Sequence, residues 1–276
     1  MSHARTKRLT RITLTAGTYA VLVILVILEL AFHTVSGLLY GFVSGISSFR
    51  FDIIIKYFPY FLLGRMGEPG GLVLTFILAA VSLGIAFVTG LIFGLMRHSN
   101  RWWLHYPAIV YIELIRGMPL ILVIFWFVFL PPAMSEDLKS IDRMYFAFLA
   151  FICFTGAYLA EIVRAGIMSV GKGQMEAARS TGLTHAQAMF HIIMPQALKN
   201  MIPSFVNQFV SLIKDTSLVW FVGLGEFTTT IFQINNKILV APFELYFFAI
   251  LVYFVICYPL TASSRWLERK LGVGQR

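Results

Sequence analysis

Apolar residues fall along this chain in stretches of about twenty, and polar residues gather in short clusters between them. A membrane-crossing helix needs ~20 mostly apolar residues, because the hydrocarbon layer is ~30 Å thick and each helical residue rises ~1.5 Å. Six segments meet that length: approximately Ile12–Phe32, Leu72–Met96, Leu104–Leu130, Met144–Ile167, Met201–Leu224 and Phe243–Ala262. The pattern predicts an all-α integral membrane protein with about six transmembrane helices. The fifth stretch is the least apolar, since Asn207, Gln208, Lys214 and Asp215 interrupt it.

The connections decide orientation, because Lys and Arg are retained on the cytoplasmic side. With both termini inside, the inner connections hold fourteen Lys and Arg, among them Arg5, Arg97, Arg164, Lys172, Arg269 and Arg276. The outer ones hold six: Arg50, Lys56, Arg65, Lys139, Arg143 and Lys237. Both termini are therefore expected in the cytoplasm. The first stretch, with its basic start, is expected to stay as an anchor, because its apolar run is long for a secretion signal and no small-residue cleavage pattern follows. The aromatic run from His33 to Gly70 reads as an interfacial segment on the outer surface.

Composition agrees with a membrane protein: 58% hydrophobic and 13% charged residues, against about 25% charged in soluble domains. The net charge of +9 does not indicate a nucleic-acid binder, since the basic residues punctuate apolar runs instead of covering one face. Cys153 and Cys257 both lie in apolar runs, which excludes a disulfide framework. No phosphate-binding G-x-x-x-x-G-K-[ST] loop occurs, and the histidines show no metal spacing. No catalytic residue, cofactor site or metal site is assigned.

The longest inner connection, from Arg164 to Asn200, is too polar to cross the membrane. Gln174–Ser180 consists of good helix formers, Gly182 suits a left-handed stop, and an amphipathic stretch runs from Thr184 to Met194 before Pro195. A short helix, a glycine turn and a second short helix are expected there.

The spacing Glu176-Ala177-Ala178, three residues, Gly182, nine residues, Ile192-Ile193-Met194-Pro195 resembles the "EAA" loop in permease subunits of bacterial ABC importers. "RGMPL" (116–120), "GAYLAEIVRAGI" (156–167), "MPQAL" (194–198) and "KDTSLV" (214–219) are similar to the polar amino-acid permeases, and most similar to their glutamate/aspartate group. The resemblance covers roughly residues 51–271. It implies a type I ABC importer permease fold in the bacterial inner membrane, with a five-helix core (71–265) carrying the coupling loop (168–197) and a cytoplasmic tail (266–276); the N-terminal anchor (1–35) and the external interfacial segment (36–70), with its insert around Arg65–Gly71, depart from the family's usual five helices. It also implies that Glu176, Ala177, Ala178, Gly182 and Pro195 dock on an ATPase subunit, and that ATP and magnesium belong to that partner. A second permease subunit, identical or paralogous, and an external substrate-binding protein complete the implied assembly.

Charged groups at membrane depth cost ~2.5–3.5 kcal/mol each and are rarely accidental. Asn207, Ser211 and Lys214 share a helical face, with Gln208 and Asp215 beside it. This stripe either lines the substrate path or gate, or fixes helix packing through a Lys214–Asp215 pair. "ELIR" and "EIVR" place Glu113 and Glu161 three residues before Arg116 and Arg164, which predicts a charge pair on each helix. Arg116 also suits an anionic substrate, because guanidinium binds carboxylate through two hydrogen bonds. A different class of protein, an ion-coupled transporter or channel using these intramembrane charges, needs no ATPase-docking loop.

Overall fold

The computed structural model describes residues 27–38, 40–41, 49–64 and 70–272. Two compact units, 1–51 and 52–276, divide the chain. In the first, an apolar helix α1 (Ile27–Leu38) is exposed along its length. Most of the expected Ile12–Phe32 anchor lies outside the described residues.

The second unit contains α2 (Phe51–Leu63) from its second residue on, α3 (Gly71–His98), α4 (Trp102–Arg116), α5 (Leu120–Met134), the one-turn α6 (Glu136–Lys139), α7 (Arg143–Met168), α8 (Lys172–Ser180), the one-turn α9 (His185–Ala188), α10 (Met194–Asp215), α11 (Phe227–Ile238) and α12 (Pro242–Leu271). Helices α3, α7 and α12 are each long and apolar enough to cross a membrane; counting α4 with α5 as one bent span makes four among the described residues.

The centre of this unit is the contact between α3 and α7. It needs small residues. A Cβ at Gly94 would stand 2.7 Å from Val163 Cβ and 2.8 Å from the Ala160 carbonyl oxygen, and backbone cannot yield as a side chain can. In lipid the association of helices depends on such close van der Waals approach, since hydrocarbon solvates apolar side chains as well as the bundle does. Around this seam Leu78, Ile124, Ala147, Phe151, Leu212 and Ile213 are fully buried, so α5 and α10 close on the same core.

Two expectations are corrected here. The Leu104–Leu130 stretch is not one straight span: α4 and α5 meet at 104°. Pro119 has no N–H to continue α4 and disfavours helix at Met118, and Gly117 precedes them both. Helix α4 packs across the end of α3, where His105 Nδ1 lies 2.7 Å from the Arg97 carbonyl oxygen. The Met201–Leu224 stretch is also composite. Helix α10 begins at Met194 and ends at Asp215, and Thr216–Val222 continues as a 3-10 helix to a left-handed Gly223.

At the opposite end of α3, Glu226 is fully buried and caps α11. Its carboxylate accepts from the N–H groups of Thr228 (2.9 Å) and Thr229 (2.8 Å). Thr75 of α3 donates its hydroxyl to Glu226 and accepts the Phe227 N–H at 3.2 Å. Together with Gly71 N–H to Gly225 carbonyl at 2.8 Å, these bonds lock the start of α11 to the start of α3. Burial pushes the Glu226 carboxyl up to about 7, against the pull of its hydrogen bonds.

Candidate coupling segment and polar face

The segment after α7 folds as the sequence predicts, up to Gly182. Helix α8 ends in a reciprocal cap in which the Gly182 N–H reaches the Arg179 carbonyl (3.0 Å) and the Leu183 N–H reaches that of Ala178 (3.3 Å). Gly182 has φ +88°, a value that a residue with a Cβ adopts only under strain. Thr184 then opens α9 through a capping box with Gln187.

Beyond α9 the expected second short helix does not stop at Pro195. A π-helical turn, Met189–Ile193, runs directly into α10, and Pro195, the second residue of α10, stands one residue past that turn, where it supplies no N–H to the turn before it. From α9 onward the coupling segment and α10 therefore form one continuous rod, from which the Gly182 turn separates α8. Ala178, Ala188 and Ile193 are buried, and Met175 and Met189 pack on the cluster that holds Ile193 together with Val163, Ile167 and Met201. Glu176, Ala177, Gly182 and Pro195 remain exposed. So does Phe190, 75% exposed, a large aromatic that spacing alone did not single out.

The polar residues of α10 lie where a helical period puts them. Ser204, Asn207 and Lys214 are exposed, while Gln208, Ser211 and Asp215 are partly buried. Opposite them Val210, Leu212 and Ile213 are buried. At membrane depth, a helix with one apolar face in its own bundle and one polar face left open would present that open face to lipid only at high cost. Near the coupling end a cavity of about 540 Å³ is lined by Glu161, Ser169, Lys199, Asn200 and Ser204, among others.

The charge pairs are only half as expected. Arg164 binds Glu161 on α7 through bonds of 3.0 and 3.1 Å from Nε. Glu113 does not pair with Arg116. Its partner is Arg97, whose Nη2 donates at 2.7 Å, because α4 crosses the end of α3 and turns Glu113 toward that end. Arg97 also stands 3.1 Å from Glu161, and Arg116 3.9 Å from it, with the Arg116 guanidinium 5.3 Å from the centre of the Tyr158 ring. One carboxylate thus meets guanidinium groups from three helices. Arg97 entered the sequence reading only as a topology charge; the broken α4–α5 span that brings Glu113 to it was not visible there.

Comparison with known proteins supports the same account. Residues 86–273 match the family described as "Binding-protein-dependent transport system inner membrane component". The inner membrane amino-acid ABC transporter permease protein YhdY of Escherichia coli K12 is 36% identical over 80% of this chain, which spans 61% of that relative's length. The probable glutamine ABC transporter permease protein GlnP of Bacillus subtilis is 38% identical over 72% of this chain and 90% of its own length. The glutamate/aspartate import permease protein GltK of Escherichia coli O157:H7 is 33% identical over 80% of this chain and 98% of its own. A crystal structure of an amino acid ABC transporter with histidines superimposes with TM-score 0.71 at 32% identity, covering 80% of this chain and 98% of that one. The chain is a transport subunit and not an enzyme, and it belongs to the amino-acid ABC transporter permeases of the binding-protein-dependent inner-membrane family.

Proposed function

We propose that this chain forms, with a second permease subunit, the translocation path of an ATP-driven importer for polar amino acids, with glutamate and aspartate as substrates. The observation that carries this reading is the unbroken rod from the exposed coupling segment through the π turn into α10. A push on α9 or Phe190 by an ATPase partner is transmitted without a flexible joint to the face that carries Asn207, Ser211 and Lys214, while Glu176 acts on this rod from α8, across the Gly182 turn. ATP and its magnesium belong to that ATPase. Closure of the ATPase pair then rocks two such subunits between outward and inward openings, a rigid-body switch about a fixed path. The coupling segment faces the cytoplasm, with both termini on that side, in the bacterial inner membrane.

The polar face of α10 needs either water or a partner, and a second permease subunit placed against it supplies both a wall and a path. Asp215 and Lys214, at the junction with the 3-10 turn, stand at its far end from the coupling segment. Arg116 is held loosely compared with Arg164 and is the guanidinium best placed to meet a substrate carboxylate. The acidic substrates are supported by the likeness of the motifs and by the name of the GltK relative; other relatives are named for glutamine, for cystine or for amino acids in general.

The test is uptake of labelled glutamate into proteoliposomes holding the whole complex, with unlabelled competitors. Aspartate should compete strongly and leucine should not. Transport of glutamine with no competition from glutamate or aspartate would overturn the substrate and leave the permease reading standing.

A further inference from the structure

We propose that an open cleft at the end of the bundle opposite the coupling segment receives acidic side chains of the external binding protein. The proposal rests on the permease reading above and adds to it the surface and its chemistry. The cleft, about 1090 Å³, lies between Tyr57 and Tyr60 of α2, the start of α7, the turn at Gly223–Gly225 and one side of α11. Helix α7 links it to the other end. Arg143, its first residue, lines the cleft, and its last, Met168, lies just before the coupling segment. As the first and last of 26 helical residues rising ~1.5 Å each, the two are about 38 Å apart.

The cleft is cationic. Lys139, Arg143 and Lys237 line it, and Asp142 is the one carboxylate among its lining residues that are described. The Asp142 side chain is already engaged, accepting the Met144 N–H at 2.8 Å. Lys139 is paired with Glu136. Arg143 and Lys237 carry no ion pair among the described residues. Lys237 sits in the last turn of α11, where the helix dipole favours a cation, but Arg143 sits in the first turn of α7, where the dipole disfavours one. Helix stability therefore gives no reason for Arg143, and an anion arriving from outside does.

A second feature lies beside the first. Two residues beyond Lys237, Leu239 is held at φ +54° and is 76% exposed, followed by an exposed Val240. A branched apolar residue in left-handed backbone, turned to the outside next to unpaired cations, matches the apolar anchor and charged rim of a transient protein interface. A small-molecule site would instead enclose its ligand, whereas these cations are exposed in an open cleft. The family to which the chain belongs is by its description dependent on a binding protein, which supplies a partner that must meet this end.

The experiment uses the permease–ATPase complex in nanodiscs and titrates it with its glutamate-loaded binding protein, reading stimulated ATP hydrolysis at low and high salt. The double variant Arg143→Gln/Lys237→Gln should raise the half-saturating concentration about tenfold and flatten its salt dependence, with the maximal rate unchanged, since rim charges act mainly on encounter. Arg143→Lys should restore most of the affinity. An unchanged half-saturation, or a lowered maximal rate at unchanged half-saturation, overturns the proposal. So does stimulation by glutamate alone that depends on the same two charges, because the cleft would then bind the free amino acid. Absence of any stimulation in the unaltered complex overturns the permease reading itself and is distinguishable from each of these.

Discussion

Arg97 Nη1 stands 3.1 Å from Glu161 Oε2 while Nη2 of the same guanidinium binds Glu113 at 2.7 Å, so one side chain at the end of α3 holds both α4 and α7. The Arg97 side chain is 17% exposed and that of Glu161 22%, so the pair is screened less than a surface bridge. Arg97→Ala should destabilise the detergent-solubilised permease by ~1.5–3 kcal/mol, the range for hydrogen bonds to charged groups. Thermal unfolding of Arg97→Ala, Glu161→Gln and the double variant checks this. The two losses should be strongly non-additive, and simple additivity would mean that the contact contributes nothing.

Gly182→Val forces a branched residue to φ +88° and should cost ~1–2 kcal/mol locally, displacing α9 from α8. Membrane insertion should be unaffected. ATP hydrolysis should lose its response to substrate and uptake should fall; unchanged uptake with unchanged stimulation would show that the turn does not couple.

Phe190→Ala tests the aromatic that the structure adds to the coupling segment. Its side chain is 75% exposed, so truncation should leave the melting temperature of the isolated permease within about 1 °C. Affinity for the ATPase, measured by titration in detergent, should drop about thirtyfold or more if Phe190 is a buried anchor in the complex.

Glu226 makes stability depend on pH. Its carboxyl is raised from the usual 4.5 to about 7 when folded, so the folded state holds a proton that the unfolded state has lost between those values. The associated stabilisation is complete below about 4.5 and disappears as pH rises through about 7. The melting temperature of the wild type should therefore fall across that window, and that of Glu226→Gln should be flatter. A wild-type curve rising with pH would contradict this burial argument.

The long apolar helices, the coupling loop and its glycine turn were legible in the sequence, because each depends on local chemistry: α3, α7 and α12 on hydropathy, and Gly182 on its missing Cβ. The Gly117–Pro119 break was written in "RGMPL" but outweighed by the apolar run on both sides. The continuity across Met189–Ile193 was missed because Pro195 reads as a stop until its place in a first helical turn is known. Arg97, Phe190 and the Glu226–Thr75 clasp depend on contacts between distant segments, and no local pattern announces them.

The central claim is that transport is driven through the coupling segment by ATP and not by an ion flowing past Lys214, Asp215 and Glu161. Uptake of labelled amino acid into proteoliposomes holding permease, ATPase and binding protein separates the two. The account predicts uptake that requires ATP on the ATPase side and the binding protein on the other, and that persists when ionophores collapse proton and sodium gradients. Uptake that proceeds without the ATPase and disappears with the ion gradient would contradict it.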